Sequence, residues 1–187
     1  MSSQVDVIIG SMFSGKSSEL IRRCSTYESI KKQVVIINHQ IDKRCKDDEV
    51  QTHSKTTHKA IKTNRLLDLE FEEIPDVIGI DEAQFFEDLY EFVVKMEKND
   101  VKIIIAGLDG DFRRNTFGEI LKCIPLADSV TKLHAMCSLC CDGTKASFTR
   151  RRCESDSIIK VGAEEEYLAV CRKHYFSPSN VCHKRDI

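Results

Sequence analysis

Gly10-Ser-Met-Phe-Ser-Gly15-Lys16-Ser17 stands between an apolar run at residues 5–9 and a stretch whose apolar residues, Leu20, Ile21, Cys24 and Tyr27, recur at helical spacing. A glycine-bracketed loop ending in Lys-Ser matches the full G-x-x-x-x-G-K-[ST] pattern, and it lies in the strand-before, helix-after context that gives the pattern its meaning. Glycines let the backbone fold close around a phosphate. Successive N–H groups and the start of the following helix then present partial positive charge to the anion. Lys16 is read as reaching the β- and γ-phosphates of a nucleoside triphosphate, and the Ser17 hydroxyl as a ligand of Mg²⁺.

Such a loop demands a parallel βαβ frame, and the rest of the chain supplies one. Residues 17–32 read as a helix, and 34–37 as a second buried strand. Residues 39–58 are polar and read as a loop. Residues 77–80 form a strand, 86–98 a helix, 101–106 a fourth strand and 130–135 a fifth, with a loop at 107–112. Short apolar strands alternating with helices indicate an α/β fold, a parallel sheet covered on both faces. Ligands of such sheets sit beyond the carboxyl ends of the strands. The phosphate loop, Asp81-Glu82 and the 108–112 loop are expected to meet there.

Val77-Ile-Gly-Ile-Asp81-Glu82 is a strand ending in two carboxylates. Its Asp81 would face the Mg²⁺ region, and Glu82 would orient or deprotonate a hydroxyl attacking the γ-phosphate. Whether that hydroxyl belongs to water or to an alcohol separates an ATPase from a kinase, and these residues alone leave both open.

The nine cysteines are unevenly spread. Cys24, Cys45 and Cys123 read as isolated thiols of the α/β body, while six others crowd the last third. No basic segment followed by an apolar one opens the chain, so a reducing, cytoplasmic setting is expected, with a metal site rather than disulfides. Cys137-x-x-Cys140 and Cys171-x-x-His174 would close a tetrahedral Zn²⁺ site, structural because all four ligands are protein. Cys141, Cys153 and the Cys182-His183 pair remain alternatives. No apolar run approaches the length of a membrane span, and a formal net charge of −2 argues against bulk electrostatic binding to nucleic acid, so neither membrane nor nucleic acid is expected as a partner.

At this point the residues resemble a known family. "GSMFSGKSSELIRR", "VIGIDEAQFF", "GLDGDFRRNTFG", "PLADSVTKLHAMCSLC" and "YLAVCRKHY" are similar, in order and spacing, to the zinc-containing, cytosolic type II thymidine kinases. The resemblance spans residues 5–175. It implies a P-loop (RecA-like) sheet domain over 1–135, a small zinc-bearing lasso domain over 136–180 and a tail at 181–187. It also implies transfer of the γ-phosphate of ATP to the 5′-hydroxyl of thymidine, with deoxyuridine a poorer substrate, in nucleotide salvage for DNA synthesis.

Residue by residue, the resemblance assigns the triphosphate to Gly10, Ser11, Met12, Phe13, Ser14, Gly15, Lys16 and Ser17, with Asp42, Lys43 and Arg44 as further phosphate contacts. Asp81, Glu82, Ala83 and Gln84 would lie beside the phosphates, Glu82 as general base. Met12, Phe85, Leu108, Phe112, Phe117 and Thr149 would surround the nucleoside. Ile158, Ile159, Lys160, Val161 and Gly162 would fold over it as a lasso, with Tyr167 following. Cys137, Cys140, Cys171 and His174 would hold the zinc. A homotetramer and feedback inhibition by thymidine triphosphate (dTTP) are implied as well. Relative to the family pattern, Ser11 stands for a proline, Ala83 and Ala163 for glycines, and His174 for a cysteine.

Two rival readings remain. One is an ATPase whose zinc ribbon binds nucleic acid or protein, against which the net charge of −2 stands and for which "TRRRC" is the one dense basic patch. The other is a silent nucleotide-binding subunit, which the intact Lys16, Ser17, Asp81 and Glu82 oppose.

Overall fold

A computed structural model of the chain describes residues 3–42, 49–51, 57–152 and 166–177. In chain order its elements are β1 (Gln4–Gly10), α1 (Lys16–Glu28), β2 (Val34–His39), β3 (Glu49–Gln51), β4 (Thr57–Lys59), β5 (Ile61–Thr63), β6 (Val77–Asp81), α2 (Leu89–Met96) and β7 (Lys102–Leu108). There follow β8 (Ser129–Leu133), β9 (Ala135–Met136), β10 (Lys145–Ala146), β11 (Phe148–Arg151), β12 (Tyr167–Val170) and α3 (Arg172–Phe176). Six strands make one sheet in the order β5-β2-β6-β7-β1-β8, and every neighbouring pair is parallel. This is the P-loop, RecA-like α/β sheet that the motif order led one to expect.

Alternation along the strands decides which helix covers which face. Val5, Val7 and Ile9 of β1 join Ile78, Ile80, Ile103 and Ile105 beneath α2, whose Leu89, Phe92, Val93 and Met96 complete the larger core. Ile8, Ile36, Ile104 and Ala106 point to the other face and pack on Leu20, Ile21 and Cys24 of α1. Each fully buried side chain of this size stabilises the fold by roughly 1.5–3 kcal/mol. Gly79 fits under Cys24, since a Cβ there would stand 2.8 Å from the thiol sulfur.

The register brings the functional strand ends level. Gly10 pairs with Leu108 on one side and Leu133 on the other, and Asn38 pairs with Asp81. The exits of β1, β6 and β7 therefore open on one edge of the sheet.

Several boundaries differ from the sequence reading. α1 ends at Glu28 rather than at 32, because Ile30 has no apolar surface to meet and stays 62% exposed, and Lys31 turns the chain at a φ of 63°. The helix expected from 86 begins only at Leu89: Phe86 is extended and buried, after a short 3₁₀ turn at Ala83–Phe85. The expected loop at 39–58 contains β3 and β4, which pair antiparallel, and the sheet gains β5 at its edge. The fifth expected strand divides into β8 and β9.

Beyond β8 lies a third apolar cluster of Ala135, Cys137, Ala146, Ala169 and Val170, against which Phe13 of the phosphate loop packs. Among the described residues no helix is long and apolar enough to cross a membrane.

A charged network ties α1 to the sheet. Arg23 bonds Glu19 at 2.9 Å, Asp6 at 3.2 Å and the Thr131 hydroxyl at 2.9 Å, while Lys102 lies 2.8 Å from Asp6. Arg22, and after it Arg23, hold the Glu19 carboxyl down to about 2 against the opposing effect of partial burial. A carboxyl lowered in the folded state stabilises it above the ordinary value of 4.5, and that contribution disappears as pH falls toward 2. Glu19→Gln is accordingly expected to flatten the acid side of the stability profile between about pH 5 and about pH 2. Denaturant titrations at stepped pH measure it, and an unchanged acid slope would count against this pairing as a source of stability.

Candidate active site

The loop after β1 is shaped by two left-handed residues, Phe13 at φ 64° and Gly15 at φ 83°. Left-handed turns of this kind point successive N–H groups to one side, which suits an anion. Gly10 is required by close approach, because a Cβ there would run into the Leu133 carbonyl oxygen. Gly15 is the N-cap of α1 and offers no side chain, so the first-turn N–H groups carry no side-chain cap.

The loop's own side chains brace it. The Ser14 hydroxyl and the Lys16 ammonium each donate to the Ser11 carbonyl at 2.8 Å. Two further bonds fasten it to the cysteine-bearing segment: the Ser11 hydroxyl donates to Ala146 O at 3.2 Å, and Met12 N–H donates to the Thr149 hydroxyl at 3.0 Å.

The Ser17 hydroxyl donates to Asp81 Oδ1 at 3.0 Å, so the last loop residue and the first of the two strand-end carboxylates meet across 64 residues of sequence. Asp81 is 2% exposed. A hydroxyl and a buried carboxylate facing each other beside a phosphate loop are hard oxygen donors, the kind Mg²⁺ takes. The residues present fit that ion.

Glu82 follows in a left-handed conformation, φ 50° and ψ 37°, which swings its side chain off the strand line. Its Oε2 accepts a 2.6 Å bond from Gln84 Nε2, and Gln84 Oε1 accepts from Leu108 N–H at 2.9 Å. Ala83 is fully buried. At the end of β2, Asp42 is buried, accepts from Asn38 Nδ2 at 2.9 Å, and receives Lys62 Nζ on its backbone carbonyl at 3.0 Å.

The aromatic residues fall into two groups. Phe85 and Phe117 meet edge-on with ring centroids 5.4 Å apart, and His39 packs on Phe85 and Phe86 at 5.7 and 4.8 Å. Burial lowers the His39 pKa, so its ring stays neutral; Nδ1 accepts from Ile41 N–H at 3.1 Å. Phe112 stands apart from that pair, with the Arg113 and Arg151 guanidinium groups 5.2 and 5.3 Å from its ring centroid. Arg151 also lies 5.7 Å from the ring of Tyr167, and Tyr175 donates its hydroxyl to the Phe112 carbonyl at 2.9 Å.

Cys137, Cys140, Cys171 and His174 bring their ligand atoms within 4.8 Å of one another. His174 Nδ1 lies 3.4 Å from Cys137 Sγ, 3.3 Å from Cys140 Sγ and 3.4 Å from Cys171 Sγ, and the Cys140 and Cys171 sulfurs are 3.8 Å apart. Zinc–sulfur bonds of about 2.3 Å in a tetrahedron separate sulfurs by about 3.8 Å, so the donor set fits Zn²⁺ closely. Cys137 is prepared for this: burial opposes its ionisation, but the N–H groups of Cys171, Leu139 and Cys140 bring the thiol down to about 6. Burial and the neighbouring thiols Cys137 and Cys171 push Cys140 up to about 11. Cys141 points away and donates to Ser138 O.

Of the residues expected at the site, the phosphate loop, Asp42, Asp81 to Gln84, Phe85, Leu108, Phe112, Phe117, Thr149, Tyr167 and the four cluster residues lie among those described. Lys43, Arg44, the lasso residues Ile158, Ile159, Lys160, Val161 and Gly162, the tail at 181–187, and Cys45, Cys153, Cys182 and His183 fall outside them. Sequence reading missed three contributors: His39, Arg151 and Tyr175. The only signal for Arg151 was the basic run "TRRRC", which reads as surface charge until the fold sets it against aromatic rings. Its neighbour Arg150 is likewise taken up, bonding the His174 carbonyl at 2.6 Å.

The chain is similar in sequence to several curated proteins. A curated thymidine kinase from Choristoneura biennis entomopoxvirus is 41% identical over 91% of this chain and 95% of its own length. Thymidine kinase a of Arabidopsis thaliana is 45% identical over 94% of the chain and 76% of that protein. The cytosolic thymidine kinase of Gallus gallus is 40% identical over 92% and 77%. The thymidine kinase family model matches residues 3–175, a span running from β1 through the phosphate loop and the acidic pair past the last residue of the Cys/His cluster, and this chain belongs to that family.

Proposed function

We propose that the chain transfers the γ-phosphoryl group of ATP to the 5′-hydroxyl of thymidine, giving dTMP and ADP. The observation that supports this reading is the 3.0 Å bond between Ser17 and Asp81, which joins the end of the loop to the strand-end carboxylate that precedes Glu82. Membership of the family supplies the nucleoside.

In this reading the N–H groups of the 10–17 loop and Lys16 cradle the phosphates. Mg²⁺, held at Ser17 and Asp81, would neutralise charge on the β- and γ-phosphates. Glu82 takes the proton of the 5′-hydroxyl as its oxygen attacks phosphorus, and the bond to the β-phosphate oxygen breaks. Phe85, Phe117, Phe112 and Leu108 flank the nucleoside and exclude water, the competing nucleophile. A pocket built on apolar contact discriminates one methyl by about 1–3 kcal/mol, so deoxyuridine is a poorer substrate. Zn²⁺ at the four-residue cluster is structural, its ligand positions all being filled by protein. The cytosol, named in the description of the chicken relative, is the expected setting.

Incubation of the purified chain with Mg-ATP and thymidine tests the reading. Equal yields of dTMP and ADP, with little ADP when nucleoside is omitted, are the expected result. ATP hydrolysis indifferent to nucleoside would instead make water the acceptor and the chain an ATPase.

A further inference from the structure

We propose that Gln84 is the positioning residue of Glu82. The inference rests on the reading of Glu82 as general base, and it is a role separate from the phosphate contact that resemblance implies for Gln84.

Gln84 is 3% exposed, yet both ends of its amide are used. Nε2 donates to the Glu82 carboxylate at 2.6 Å, and Oε1 accepts from Leu108 N–H at 2.9 Å. The orientation is forced, because a flipped amide would set oxygen against a carboxylate and N–H against N–H. Two glycines clear the space. A Cβ on Gly107 would lie 2.6 Å from Gln84 Oε1 and 3.2 Å from its N, and a Cβ on Gly118 would overlap the Gln84 carbonyl oxygen. Ile120, at the start of a 3₁₀ segment, closes the pocket beside Gly107.

The consequence is mechanical. Glu82 is only partly buried and leaves the strand on a left-handed turn, so the rotamer of its carboxylate depends on the groups that bond it, Gln84 among them. Gln84 bonds it through a short, charge-assisted contact. Because Gln84 takes its own orientation from Leu108 N–H, the base is referenced to the end of β7, from which the Phe112 loop departs. The general base and the nucleoside-side loop thus share one rigid reference through a single buried amide.

The test compares wild type with Gln84→Glu, Gln84→Ala and Glu82→Gln in kcat, KM for each substrate, pH dependence and thermal midpoint. Gln84→Glu keeps the volume and the acceptor for Leu108 N–H but removes the donor to Glu82. A base displaced by about 1 Å costs about a hundredfold in rate, so kcat is expected to fall about 10- to 100-fold in both Gln84 variants. Both KM values should stay within about threefold, and the acidic limb of the kcat profile should move to higher pH, because a donor that favours the ionised base is gone. If Gln84 merely fills space and tethers Leu108, Gln84→Ala will lose stability but keep the kcat and pH profile of wild type at temperatures where it is folded, which overturns the proposal. A loss confined to KM for ATP overturns it too, in favour of a phosphate contact. Should Gln84→Ala fail to fold, the Gln84→Glu result decides. Glu82→Gln separates the two levels: if it is as active as wild type, the general-base reading falls and this inference with it. If it is inactive while both Gln84 variants behave as wild type, the inference alone falls.

Discussion

Replacing Glu82 by glutamine is expected to lower thymidine phosphorylation by at least about a hundredfold, the lower end of what a positioned general base contributes. The substitution is nearly isosteric and keeps an acceptor for Gln84 Nε2, whose 2.6 Å bond would otherwise be lost. What it removes is the capacity to take a proton. Nucleotide binding should survive, since the braces of the phosphate loop, Lys16 to Ser11 O and Ser17 to Asp81, do not involve Glu82. Steady-state rates beside an ATP-binding titration check both halves. A variant with near-normal turnover would mean that the nucleoside hydroxyl loses its proton elsewhere, and that neither the basicity nor the charge of Glu82 is needed.

The second large effect is expected at the cysteine cluster. Cys171→Ser removes a ligand from a set whose atoms already stand within 4.8 Å of one another, and should reduce zinc from one ion per chain to a small fraction. Structural zinc contributes folding free energy directly, about 10–16 kcal/mol in isolated finger peptides. Even a loss of a few kcal/mol lowers the thermal midpoint of a chain this size by about 2–4 °C per kcal/mol, so a fall of about 10 °C or more is expected. Activity should fall with it, because β11 and β12 pair directly and β11 carries Thr149, which fastens Met12 of the phosphate loop. Cys141→Ser is the control: its thiol bonds Ser138 O, outside the cluster, and zinc content should be unchanged. Metal analysis and thermal melts read out both. Full zinc content in Cys171→Ser would point to a different fourth ligand.

Much of the site was legible because its chemistry is carried by close neighbours in sequence. A phosphate loop is a local object, its glycines and Lys-Ser ending set by backbone geometry within a few residues. Asp81-Glu82 at the end of an apolar run is equally local. Each half of the Cys/His cluster is a short-spaced pair on one turn, a spacing suited to metal ligands. What spacing left open was which thiols complete the set; among the described residues, His174 Nδ1 lies within 3.4 Å of the Cys137, Cys140 and Cys171 sulfurs while Cys141 turns away.

The boundaries that shifted did so for reasons of burial. Ile30 fits a helical pattern but meets no partner, so α1 stops before it. Phe86 fits a helical pattern too, but the core takes it in an extended segment, and α2 starts later. β5 is three residues long, and its hydrogen bonds come from the edge of a sheet assembled by other segments.

By itself, then, the sequence determined the class of fold, the phosphate loop, the acidic strand end and the chemistry of the metal ligands, since each depends on contacts within a few residues or on strand periodicity. Only the tertiary structure decided the strand order, the tie between Met12 and Thr149 across 137 positions, and the bridge from Glu82 through Gln84 to Leu108, whose Gln84–Leu108 bond spans 24. The bond from Gln84 to Leu108 exists because parallel pairing sets the ends of β6 and β7 side by side, and the bond from Met12 to Thr149 because β11, outside that sheet, lies against the loop after β1. A hydrogen bond reads distance in space, and the distance between two loops is a property of the assembled sheet rather than of either segment.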